Sequence, residues 1–99
     1  MPKISVTVPH QLSRADATER IKPSIEKTVT DFQGTDESIE WQDDRADFRF
    51  KSLGFAIQGK VAVTDDDATV DVELPFAAMM FKDKAEQAIA KNLARVLDA

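Results

Sequence analysis

The stretch SIEWQDDRADFRFKSLGFAIQGKVAVTDDDATVDVEL, Ser38 to Leu74, decides the fold. Apolar and polar residues alternate along it with a period of two. Ile39 and Trp41 point one way, Glu40 and Gln42 the other. Ala46, Phe48 and Phe50 alternate with Arg45, Asp47, Arg49 and Lys51. Phe55, Ile57, Val61 and Val63 share a face, opposite Gln58 and Lys60. Ala68, Val70, Val72 and Leu74 alternate with Thr69, Asp71 and Glu73. Such alternation is the mark of half-buried strands. Turns at Asp43-Asp44, Ser52-Leu53-Gly54 and Asp65-Asp66-Asp67 separate four of them. Links this short force neighbouring strands to run antiparallel. One face of the sheet is apolar and the other charged, so one face meets water.

Upstream, Ile4, Val6 and Val8 alternate with Lys3, Ser5 and Thr7, which adds a first strand ended by Pro9. Ser13-Arg14-Ala15-Asp16 reads as a helix-opening capping box, with Leu12 and Ala17 as a hydrophobic staple. Ala17, Ile21, Ile25, Thr28, Val29 and Phe32 fall on one side of that helix, and Gly34 is its expected stop. Pro23 removes a backbone donor in mid-helix and predicts a kink or two short helices. Downstream, Pro75 ends the last strand and predicts a helix from Phe76 to Leu97. Ala78, Ala85, Ile89, Leu93 and Val96 form its apolar stripe at 100° per residue. The predicted order is β-α-β-β-β-β-α. That is an α+β fold of one curved, mainly antiparallel sheet with both helices on one face. Residues 1–99 read as a single domain.

Composition narrows the function. The 99 residues are 42% hydrophobic and 31% charged, which describes a folded globular chain. The net charge of −5 argues against a nucleic-acid partner. There is no apolar run of the ~20 residues that a transmembrane helix needs. The N-terminus lacks the apolar core of a signal peptide, so a cytoplasmic location is expected. With no cysteine, thiolate metal sites and cysteine nucleophiles are excluded. An empty cavity of ~300 Å³ would cost on the order of 7 kcal/mol. That rivals the whole stability of a small domain, so a deep internal pocket is disfavoured unless a dimer encloses it.

Few residues suggest chemistry. His10, the single histidine, stands between the first strand and first helix, near Ser13 and Asp16. Asp16 is explained by capping and a triad by geometry alone, so His10 reads as a junction residue rather than a base. Asp65-Asp66-Asp67 lacks the alternate ligand spacing, central Gly and distant Glu of a calcium loop. No metal or cofactor is expected. Arg45, Arg49, Lys51 and Lys60 share the outer sheet face with Asp47, Asp71 and Glu73, a mixed-sign solvated surface. The segment Phe76-Ala77-Ala78-Met79-Met80-Phe81 stands out. In an α-helix phased on Ile89, Met80 faces away from the sheet beside Phe76, its i,i+4 neighbour. Phe76, Met79, Met80 and Phe81 are therefore the candidate interaction surface.

Three segments carry a resemblance. They are Ile4-Ser5-Val6-Thr7-Val8-Pro9-His10-Gln11-Leu12-Ser13, Leu53-Gly54-Phe55-Ala56-Ile57-Gln58-Gly59, and Leu74-Pro75-Phe76-Ala77-Ala78-Met79-Met80-Phe81-Lys82. In this order and spacing the chain resembles the polyhydroxyalkanoic acid system family, also called the polyhydroxyalkanoate granule region family. The resemblance covers almost the whole chain. It implies an accessory role in bacterial polyester storage-granule systems, with no reaction, catalytic residue or cofactor to carry over. The implied partners are a granule surface, a granule protein or a second copy in a homodimer. The implied location is the cytoplasm, at the granule. The element order also resembles a shortened helix-grip, or START-like, fold. That implies an alternative: a small hydrophobic-ligand-binding protein or enzyme with a reduced cleft, with His10 or Trp41 at its mouth. A structural dimer without a ligand is the third reading.

Overall fold

The computed structural model describes residues 3–97. Strands β1 (Lys3–Pro9), β2 (Thr35–Gln42), β3 (Arg45–Ser52), β4 (Phe55–Val63) and β5 (Asp67–Glu73) form one sheet in the order β1-β5-β4-β3-β2. Every neighbouring pair is antiparallel. Helix α1 (Arg14–Asp31) follows β1, and α2 (Lys82–Leu97) closes the chain after a 3-10 segment, Phe76–Phe81. The register puts Ile4, Val72, Val70, Val61, Ala46 and Phe48 on one face, all buried. Ile21, Ile25, Val29, Ile89 and Leu93 from the two helices join them in a single core. The α+β arrangement read from the sequence is the one observed.

Local chemistry explains the element boundaries. The Ser13 side chain accepts the Asp16 N–H at 3.1 Å and caps α1. The helix runs unbroken through Pro23, which corrects the second of the two expected outcomes, a pair of short helices. Pro23 is exposed, and the turns on either side are held by buried Ile21 and Ile25. Helix α1 ends one turn before Gly34, and the left-handed residue is Gln33 (φ 56°). Gly34 serves close approach instead. A Cβ there would collide with the Val29 side chain and lie 2.8 Å from Phe50 Cδ2. The β3–β4 link is a two-residue turn with Leu53 and Gly54 both at positive φ (53° and 85°), a twist that suits a hairpin. Strand β2 begins at Thr35, three residues earlier than its alternation indicates. A register shift between Thr35 and Ser38, with Asp36 at φ 53°, interrupts the period there.

The C-terminal region departs most from expectation. The α-helix starts at Lys82, not Phe76. The Ala78 N–H donates to the Pro75 carbonyl at 2.9 Å, an i→i+3 bond that winds the intervening chain more tightly. In α2 the buried residues are Ala85, Ile89, Asn92, Leu93 and Leu97, while Val96 is half-buried.

Candidate functional site

The 3-10 winding sets which side chains of Phe76–Phe81 meet solvent. With three residues per turn, i and i+3 eclipse. Ala78 and Phe81 thus share the inward side, Phe76 and Met79 a second, Ala77 and Met80 a third. The pairing of Phe76 with Met80 expected from an α-helix is replaced by Phe76 with Met79. Ala78 is buried, whereas Phe76 is 77% exposed and Met80 81% exposed. Met79 and Phe81 are 41% and 38% exposed. Four large apolar side chains within six residues thus reach water, beside a fifth, Leu53, at the β3–β4 turn.

Behind this surface lies a cavity of about 210 Å³ between the sheet and both helices. Phe50, Ile57 and Val72 form its sheet side, Ile25 and Thr28 its α1 side, and Ile89 and Leu93 its α2 side. Leu53, Phe81, Gln33 and Lys84 also line it and are exposed, so they frame its mouth. The space opens to solvent at that mouth, so it is a cleft between sheet and helices and not the deep enclosed pocket that so small a domain disfavours. It lies at the end of the fold where α1 stops and the 3-10 segment begins, as its lining by Asp31, Phe32, Ala78 and Phe81 shows.

Polar groups in the cavity wall are paired with one another. Thr28 Oγ1 donates to the Ser24 carbonyl at 2.9 Å and accepts from Asn92 Nδ2, also at 2.9 Å. Asn92 Nδ2 reaches Asp31 at 3.3 Å, and Lys27 Nζ holds both carboxylate oxygens of Asp31 at 3.1 Å. The Lys27 hydrogen bond, then that of Asn92, hold the Asp31 carboxyl below its ordinary pKa. Ser52 Oγ donates to the Phe32 carbonyl. Sequence reading missed this network, although Asn92 interrupts the apolar stripe of α2 one turn after Ile89.

His10 and Trp41 lie elsewhere. The His10 ring is buried at the opposite end of the sheet. Its Nδ1 accepts the Leu12 N–H at 3.1 Å, so Nε2 carries the proton and donates to the Thr64 carbonyl at 2.8 Å. Nearby, Arg14 pairs with Asp44 at 3.2 Å, tying the start of α1 to the β2–β3 turn. Trp41 is half-buried one residue from that turn, with the Lys22 ammonium 5.6 Å from its ring centre. Neither His10 nor Trp41 lines the cavity. Of the candidate surface residues, Phe81 lines it, while Phe76, Met79 and Met80 lie outside. The described residues hold no group of three or more side chains placed to bind a metal.

Comparison with known proteins bears on these features. Residues 4–97 match the family described as "Putative polyhydroxyalkanoic acid system protein". No curated protein matches the chain. Among solved structures, DynU16, from the dynemicin biosynthetic locus, superposes with a TM-score of 0.71 at 16% identity, over 98% of this chain and 47% of its own. The chain thus spans about half the length of that protein, and the likeness is one of fold. TTHA0849 from Thermus thermophilus gives a TM-score of 0.46 at 7% identity, covering 98% of this chain and 92% of its own. Ara h 8.0201 gives 0.47 at 12% identity, with 99% of both chains covered. The architecture, two helices on a curved five-stranded antiparallel sheet, resembles a shortened helix-grip fold.

Proposed function

The chain belongs to the polyhydroxyalkanoic acid system family, and we propose that it is a non-enzymatic accessory protein that docks on the polyester granule surface through Phe76, Met79, Met80 and Phe81. The observation that carries this reading is the exposure of Phe76 and Met80, at 77% and 81%. Apolar surface in water brings no folding gain, and a contiguous group of such side chains marks a contact surface. Burying Phe76 and Met80 together removes ~200–300 Å² from water, worth roughly 5–8 kcal/mol before association costs. That anchors a contact without making it tight by itself. The reading places the protein in the cytoplasm, at the granule. No helix among the described residues is long and apolar enough to cross a membrane.

The test is Phe76→Ser combined with Met80→Ser. Circular dichroism is expected to remain unchanged, and co-sedimentation with granules from accumulating cells is expected to fall. Loss of a dimer in sedimentation, with granule binding retained, would assign the surface to a second copy. Loss only when granule proteins are present would assign it to one of them. An intact fold with unchanged oligomeric state and granule association would overturn the reading.

A second reading is favoured by the cavity of about 210 Å³, whose mouth Phe81 and Leu53 share: the protein holds a small apolar ligand between its sheet and helices. This reading needs neither His10 nor Trp41.

A further inference from the structure

We propose that the cavity binds an unbranched alkanoic acid of about six to eight carbons, its chain among Phe50, Ile57, Ile89 and Leu93 and its carboxylate at Lys84. This rests on the ligand-binding reading and adds the chemical class and orientation of the ligand.

Size fixes the chain. A cavity of ~150 Å³ walled by aliphatic and aromatic side chains holds benzene, six carbons. At the same ratio, 210 Å³ holds about eight. The wall fixes the chemistry of the buried part. Thr28, Ser52 and Asp31 already bond to Ser24, Asn92, Phe32 and Lys27. The hydroxyl protons of Thr28 and Ser52 are spent on carbonyls, so a carbonyl or carboxylate deep in the cavity finds no donor among these groups and goes unpaired, which is costly. The buried part of the ligand therefore carries no carbonyl or carboxylate, and the predominantly apolar wall suits a hydrocarbon chain.

The mouth fixes the head group. Lys84 is the one cation among the lining residues, and it forms no ion pair within the described residues. The other lining charge, Asp31, is neutralised by Lys27 at 3.1 Å. The exposed amide of Gln33 also lines the cavity and offers a donor. An anion at the mouth thus meets an unpaired ammonium and an amide donor, while its tail fills space that the core leaves empty. An alkanoate carries both parts.

The probes are sodium octanoate and 1-octanol, titrated into nitrogen-15-labelled protein and followed by amide chemical shifts. Octanoate is expected to perturb residues of the cavity wall and to bind more tightly than octanol. Lys84→Met is expected to weaken octanoate binding five- to tenfold and leave octanol unchanged, with Lys84→Gln behaving alike. Lys60→Met, which removes the same charge from the outer sheet face, is expected to change neither. Equal affinity for both probes, indifferent to Lys84, would overturn the anion assignment while leaving the cavity reading standing. Equal weakening by Lys60→Met would reduce the effect to diffuse charge and overturn the assignment too. Failure of both probes to perturb the wall would overturn the inference and the ligand-binding reading together.

Discussion

Ile89 is 4% exposed, at the centre of the inward face of α2, and its side chain also borders the cavity. Truncation to alanine removes apolar contacts on both sides and enlarges a void already present. Ile89→Ala is expected to cost about 2–5 kcal/mol, read from denaturant midpoints at constant slope. Ala94, one position past Leu93, is exposed, and Ala94→Ser is expected to cost under about 0.5 kcal/mol. Asp31 acts through charge. Because Lys27 and Asn92 hold its pKa below that of an unfolded carboxylate, its contribution is complete above the ordinary value of ~3.9. It is lost as pH falls through the lowered folded value. The stability gap between wild type and Asp31→Asn is therefore expected to be constant from neutral pH down to about 5 and to shrink below about 4. Urea unfolding at each pH measures it, and a gap independent of pH would show the carboxylate to be idle.

At the scale of elements, α1 overrides its own sequence. Pro23 cannot donate to the Glu19 carbonyl, yet the helix continues because Ile21, Ile25 and Val29 bury the same face on the sheet. Pro23→Ala restores the donor on an exposed side and is expected to raise stability by about 1–2 kcal/mol, the helix gain less the lost rigidity of the unfolded chain. Thermal melts check this; a lower melting temperature would mean that the helix bends around proline to fit the sheet. The segment Phe76–Phe81 shows the opposite case. Its composition favours an α-helix, but it leaves β5 through Leu74, which is buried and fixed to the core. Winding at three residues per turn puts both Ala78 and Phe81 toward the cavity.

Across the whole molecule, the two ends of the sheet differ in chemistry. One end is tied by hydrogen bonds and ion pairs. His10 bonds to the Thr64 carbonyl and Arg14 pairs with Asp44 and Asp65. The other end presents apolar side chains to solvent, with Leu53, Phe76, Met80 and the cavity mouth. Void volume lost on unfolding makes unfolding pressure-sensitive. Ala85→Leu adds hydrocarbon from the cavity wall, and the variant is expected to show a smaller volume change of unfolding under pressure than wild type. An unchanged volume change, with the fold intact by circular dichroism, would show that the added side chain points elsewhere.

The alternation from Lys3 to Val8 and from Ser38 to Leu74 by itself determined the five-stranded sheet and its buried face, because side chains of a strand alternate by geometry and a one-residue slip would expose the whole apolar set. The helical stripes likewise determined which faces of α1 and α2 turn inward. What only the tertiary structure decided lies at boundaries and in gaps. Local propensity could not show that α2 waits until Lys82, that Pro23 leaves α1 whole, or that Asn92 is buried against Thr28. Nor could it show the cavity. A void is the difference between the space that crossing elements enclose and the side chains that reach into it, and no single segment of sequence carries that difference.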